Sequence, residues 1–272
     1  MTRLPALVFA GLVAAALAAP IVAPYAPERI DLSMRREAPS AAHVFGTDEL
    51  GRDVFSRVLY GARVSLEVGM FSAAVAGASG VAIGGVAGYA GGAVDAVLMR
   101  GTDAMLAIPR LPLLMIAAVV LQPSIPALIV LIGIAGWMET ARVVRAEFRT
   151  LGGRGFVESA RAAGAGHARV LVRHLLPNAA QAVAVSITLA VARGILIESA
   201  LSFFGVGVRP PAASWGNMLY QAQSALSTEP WLALAPGIFI VLTTASVSMI
   251  GDRLAVASPG IRAPAGRAHR RR

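Results

Sequence analysis

Six long apolar stretches, near residues 4–24, 64–90, 98–121, 125–146, 179–205 and 231–251, constrain this chain more than any other feature. A helix needs about 20 apolar residues to cross the hydrocarbon layer of a bilayer. Lipid offers the backbone no hydrogen-bond partners, so each stretch must close its own bonds as a helix. Charged residues make up 14% of the chain, against about 25% in soluble domains. That is too few ionisable side chains to cover a water-facing surface. The sequence therefore reads as an all-α integral membrane protein with six spans.

All 24 basic residues are arginine, and there is no lysine. A P-loop needs a lysine to reach the β- and γ-phosphates, so this chain is not itself a P-loop ATPase. Lysine Schiff-base chemistry is excluded for the same reason. The absence of cysteine removes disulfides, thiolate nucleophiles and Cys-ligated zinc. The net charge of +9 could suggest nucleic acid, but the arginines are divided among the loops and form no stripe. Such a distribution reports topology. With the N-terminus inside, 15 arginines fall on inside segments and seven outside, which gives cytoplasmic N- and C-termini. The arginine-rich end, Arg267 to Arg272, reads as a tail near anionic lipid. The first stretch has two readings, a retained helix or a secretory signal ending at Ala16-Leu17-Ala18. Its apolar character continues through Pro24, longer than a signal requires, and both readings put the next segment outside.

The chain divides into residues 1–62, a helix and an external loop; 63–253, the main transmembrane domain; and 254–272, a basic tail. At the end of the external loop, Val54, Phe55, Val58, Leu59 and Ala62 share a helical face, predicting a short helix lying in the membrane interface. In the second span, Gly80, Gly84, Gly88 and Gly92 recur every four residues, predicting a seam for close helix packing.

Residues 147–177 form an internal loop too polar to span a membrane and too patterned for a slack linker. It predicts a short helix near 156–163, a break at Gly164 and Gly166, and a second helix to Leu176. Pro177-Asn178 would then open the fifth span, with Asn178 and Gln181 spaced as a capping box. The first helix carries the small residues Ser159, Ala160, Ala162 and Ala163 beside the acid Glu158. Nothing bulky keeps such a helix out of a partner's groove.

The spacing Glu158-Ser159-Ala160, Gly164, Leu176-Pro177 resembles the EAA signature of permease subunits in binding-protein-dependent ABC importers. Phe45-Gly46-Thr47-Asp48-Glu49-Leu50-Gly51-Arg52-Asp53 and Tyr60 to Leu66 are similar to the dipeptide, oligopeptide and nickel subfamily, C-type subunit. So are Leu201 to Val208 and Pro210-Pro211 through Leu219. Ser159 departs from the signature's first alanine, and Arg209 stands where a neutral residue is expected. The resemblance implies a type I-like ABC importer transmembrane domain in a bacterial inner membrane, with a second homologous permease subunit, two ATPase subunits and an external substrate-binding protein. Residues 155–176 would be coupling helices: Glu158 would contact the ATPase, Gly164 would permit the turn, and Pro177 would fix the way into span five. ATP and magnesium would sit on the ATPases, with no cofactor or metal on this chain. Peptides lead the cargo candidates, with nickel, glutathione-like compounds and other small solutes left open.

Charges inside spans are costly and mark functional candidates. Arg193 and Glu198 are candidate pore-lining groups, with a polar contact between helices as the other reading of Glu198; they stand about 140° apart on a helix and do not pair. Asp103, Arg110 and Glu139 are further intramembrane charges. Trp215, Tyr220 and Trp231 read as interfacial anchors. His167 and His174 could share a face, but no further metal ligand accompanies them. An ion-coupled secondary transporter is the alternative; it calls for inverted repeats and broken helices, and the span pattern suggests neither. A membrane enzyme would need a constellation of base and nucleophile that the spans lack.

Overall fold

The computed structural model describes residues 3–256 as helices joined by loops, with one isolated antiparallel bridge between Thr47 and Asp53. Helix α1 (Leu4–Leu17) continues past Ala18 into α2 (Ala19–Val22). A long loop, with a single 3-10 turn at Leu32–Met34, leads to α3 (Val54–Ala90). Then come α4 (Gly92–Ala107), α5 (Arg110–Leu121), α6 (Ile125–Ile134), α7 (Trp137–Gly152) and α8 (Gly155–Ala162). The short α9 (His167–Arg169) passes through a π-helical stretch, Val170–Leu175, into α10 (Leu176–Phe203). Helices α11 (Trp215–Ala222) and α12 (Trp231–Val256) follow. The tail predicted from Arg267 lies outside the described residues.

Three continuous rods, Val54–Ala90, His167–Phe203 and Trp231–Val256, are each long and apolar enough to cross a bilayer. Two further predicted spans are bent pairs: α4 and α5 meet at 80°, α6 and α7 at 44°. Pro109 causes the first bend, because it holds Ile108 in an extended conformation and has no N–H for the helical ladder. The second falls at Ala135-Gly136, where a Cβ on Gly136 would stand 3.2 Å from that of Ala76. Broken helices are thus present, contrary to the reading from hydropathy. Where six crossings were expected, the described helices offer three straight rods and, with the two bent pairs, up to five spans, beside the shorter apolar helix α1.

Helix α3 is the central post, packed against α7, α10 and α6. Its small residues make this possible. A Cβ would stand 2.6 Å from Thr140 Cβ if placed on Gly80, and 2.8 Å from Ala141 Cα if placed on Gly84. On Gly88 it would meet Arg145 O at 2.7 Å. Lipid is as apolar as the side chains it meets, so van der Waals contact of close backbones has to hold helices together. Gly92 stands apart from this seam: it opens α4 with a φ of +53° and open space around it.

The separate interfacial helix expected before Ala62 does not exist. Those residues are the first turns of α3, and Val54, Val58 and Ala62 are buried in a cluster with Trp215, Met218 and Leu232. Their apolar face serves tertiary packing, and the expected boundary at residue 62 falls inside one helix. The bundle therefore has two distinct ends. One is capped by the 25–53 loop, α11 and the start of α12; the other carries α8 and α9.

Candidate functional site

At the α8 end, Val157, Val170 and Leu175 are fully buried against Val144, Phe148 and Leu151 of α7. This clamp fixes α8 on the bundle and leaves Glu158 and Ser159 exposed, with Ala160 half-buried. Helix α8 ends in a paired turn: Gly164 N–H donates to Arg161 O at 2.9 Å, and Ala165 N–H to Ala160 O at 3.0 Å. This is the Schellman arrangement, which needs a left-handed residue at its turning point. Gly164 supplies it at φ +80°. Tyr89 Oη lies 2.7 Å from His167 Nδ1, and the Arg161 guanidinium sits 5.1 Å from the Tyr89 ring centre. The short helix, its turn and the following rod are thus tied to the end of α3. An apolar groove of about 220 Å³ lies alongside, floored by Gly85 and Phe148 and rimmed by Val172, which is 65% exposed.

Pro177 does not open a new helix. The rod runs from His167 to Phe203 without interruption, and its π-helical stretch lies directly before the proline. The wider ladder absorbs the missing N–H that would otherwise break an α-helix. The expected capping box is also absent: Asn178 Nδ2 donates to His174 O at 2.7 Å, and Gln181 Nε2 donates to Leu254 O at 2.9 Å.

The capped end brings the other two motifs together. Asp48 Oδ1 accepts from the N–H groups of Leu50 and Arg52, and its Oδ2 accepts from Arg52 Nε at 2.7 Å. Asp53 caps α3 through Ser56 N–H at 2.7 Å and faces His43 Nδ1 at 2.9 Å. Arg52 and Arg57 both donate to Gln221 Oε1 of α11. Glu198, read as either a pore-wall group or a polar contact between helices, is fully enclosed and bonded by the hydroxyls of Ser65 and Ser202. Trp215 is no interfacial anchor either: it is fully buried and donates from Nε1 to Val58 O at 3.1 Å. Tyr220 stays exposed. Arg209 joins two loops by donating to Gln122 Oε1 at 3.2 Å.

The remaining intramembrane charges form pairs that residue spacing could not reveal. Arg110 NH2 donates to both carboxylate oxygens of Glu139, at 3.0 and 2.9 Å. Asp103 pairs with Arg142, and Asp95 is gripped by Arg145 and more distantly by Arg149. Arg193 lines a cleft with Arg110, away from Glu198.

The family model for the inner membrane component of binding-protein-dependent transport systems matches residues 80–258. A protein of Brucella suis biovar 1 that carries a peptide-permease name is 42% identical over 242 residues, covering 88% of this chain and 80% of that protein. A second Brucella suis protein, bearing a peptide-transport permease name, is 36% identical over 89% of this chain and 81% of its own length. The dipeptide transport system permease protein DppC of Bacillus subtilis is 38% identical over 240 residues, covering 88% of this chain and 75% of its own. The match takes in α8, its glycine turn and the rod beyond, the elements whose geometry is described above. The chain belongs to the family of inner membrane components of binding-protein-dependent transport systems.

Proposed function

We propose that this chain is one of two pore subunits in an ATP-driven importer of peptides or related small solutes. The observation that carries this reading is α8, a small-residue helix with Glu158 and Ser159 exposed, clamped by Val157 and redirected by Gly164. Such an element transmits movement because its inner face is fixed and its outer face is free to seat in a partner's groove. Residues 155–176 dock in a cleft of a separate ATPase, and closure of two ATPases swings the rod that begins at His167. The family membership supports the transport role, and the names of the relatives support peptide cargo. The α8 end then faces the cytoplasm of a bacterial inner membrane, an orientation that the arginine excess of the loops on that side supports. The capped end faces the external binding protein. ATP and magnesium belong to the ATPase partners, and this chain hydrolyses nothing itself.

Uptake in vesicles holding the complete complex tests this reading. ATP should drive uptake without an ion gradient, and Glu158→Lys should abolish it while leaving the chain's amount in the membrane unchanged. Uptake on an ion gradient alone, with no ATPase co-purifying, would overturn the reading. Unchanged ATP-driven uptake by Glu158→Lys would remove α8 from the docking role.

A further inference from the structure

We propose that a cavity in the 25–53 loop, walled by Tyr25, Asp31, His43 and Asp53, binds a primary ammonium group, the free N-terminus of a peptide cargo. The ammonium site stands on the geometry of the loop, and the peptide as its source rests on the importer reading above. The cavity measures about 240 Å³ and includes Arg29 and Ser33 in its lining. A water molecule takes up about 30 Å³ of the liquid, so there is space for an ammonium and the residue that bears it. Arg29 and Ser33 are exposed, which leaves the cavity open to solvent on their side.

The lone pairs in the wall select a cation. His43 is 7% exposed, and its Nδ1 lies 2.9 Å from Asp53 Oδ1. An ionised carboxylate only accepts, so Nδ1 carries the proton and Nε2 of the neutral ring keeps a lone pair. No described residue bonds Nε2, although the ring is nine-tenths buried and lines the cavity. Tyr25 stacks on that ring at 4.8 Å between centroids and fixes its plane. Asp31 Oδ1 is engaged by Ser33, whose hydroxyl donates at 2.5 Å and whose N–H donates at 3.1 Å. These bonds hold the Asp31 carboxyl below its ordinary range and keep it charged, while no described residue bonds Oδ2. The lining thus offers two acceptors, Nε2 and Oδ2. It also sets two carboxylates against the single guanidinium of Arg29, which stands at the rim, 6.0 Å from the Tyr25 ring centre.

A primary ammonium carries three donors and one positive charge, which matches such a wall. An anion would meet both carboxylates. A metal ion fits less well, since no group of three His, Cys, Asp or Glu side chains among the described residues is placed to hold one. A free amino end is common to linear peptides, so a site for it leaves the side chains of the cargo unread.

Nanodiscs holding the complete membrane complex, without the binding protein, allow a direct test by saturation-transfer NMR on the methyl groups of trialanine. Trialanine should bind, and N-acetyl-trialanine should bind about tenfold more weakly or worse, the loss expected when charge-assisted hydrogen bonds go. Amidating the C-terminus instead should change little. Asp31→Asn, which still accepts from Ser33, should weaken trialanine about tenfold, and His43→Gln should do the same. No binding of trialanine, equal binding of the acetylated peptide, a larger loss on amidation than on acetylation, or wild-type affinity in either variant would each overturn the site. Ethylammonium binding as tightly as trialanine would overturn the peptide as the source. ATP-driven uptake by the same complex with its binding protein separates the two ideas. Normal uptake beside a failed site leaves the importer reading standing, and a site that holds where ATP drives no uptake leaves only the ammonium site.

Discussion

The Ser65 hydroxyl donates to Glu198 Oε2 at 2.9 Å and accepts the Trp215 N–H at 3.2 Å, so one side chain joins α3, α10 and α11. Ser202 donates to the other carboxylate oxygen at 2.8 Å and accepts the Val208 N–H at 2.9 Å. The carboxylate is the hub of the capped end, bonded by hydroxyls instead of a cation.

Replacing that hub should loosen the capped end. Glu198→Ala leaves two buried hydroxyls without an acceptor, at about 1–3 kcal/mol each. Glu198→Gln retains an acceptor and should cost less. The melting temperature of the purified complex should fall in the order wild type, Gln, Ala; equal values for Ala and wild type would contradict the hub.

The α3–α7 seam should tolerate no added volume. Gly84→Val would push against the Ala141 backbone, and overpacking of this kind costs about 1–3 kcal/mol. Gly101→Ala, a change in α4 with open space around it, should be neutral or stabilising by up to about 1 kcal/mol. Thermal unfolding of the two variants side by side checks the contrast.

The turn after α8 should be sensitive to its backbone, not its side chain. Gly164 has no neighbour within 4 Å of a built Cβ, so Gly164→Ala adds no clash. It places a side chain at φ +80°, which costs about 1–2 kcal/mol. Gly164→Asn, better suited to left-handed backbone, should recover part of the loss. ATP-driven uptake should follow the same order, and an alanine variant as active as wild type would show that the turn is not strained.

Asp53 should hold the external loop on the bundle. Asp53→Ala removes the cap on Ser56 N–H and the partner of His43 together. Cap loss alone costs about 0.5–2 kcal/mol. Protease cleavage within residues 25–53 should accelerate in reconstituted vesicles, and Asp53→Asn, which still caps, should be intermediate.

Signals in the sequence are legible where their cause is local. A four-residue glycine period marks one face of α3, and Gly164 after a run of small residues marks a turn. Hydropathy does not reveal the bend at Pro109, because it averages over the very residues where the backbone turns. Pro177 misled in the opposite direction: a proline usually starts or breaks a helix, but a π-helical stretch carried the rod past it. Trp215, lying between apolar runs, looked like an interfacial anchor. Its burial depends on Val58, 157 positions earlier in the chain.

From the sequence alone followed the helical, membrane-spanning class, the absence of a P-loop, and the likeness of residues 155–177 to a coupling segment. These depend on hydropathy, residue type and spacings of a few positions, which act within one helix or one turn. Tertiary structure alone decided that Glu198 is an enclosed hub, that Arg110 neutralises Glu139, and that Arg193 is left facing a cleft. Those outcomes join residues as far apart as the 133 positions between Ser65 and Glu198. In lipid, where apolar burial between helices gains little, close packing and buried polar partners decide such contacts, and both exist only once the helices have met.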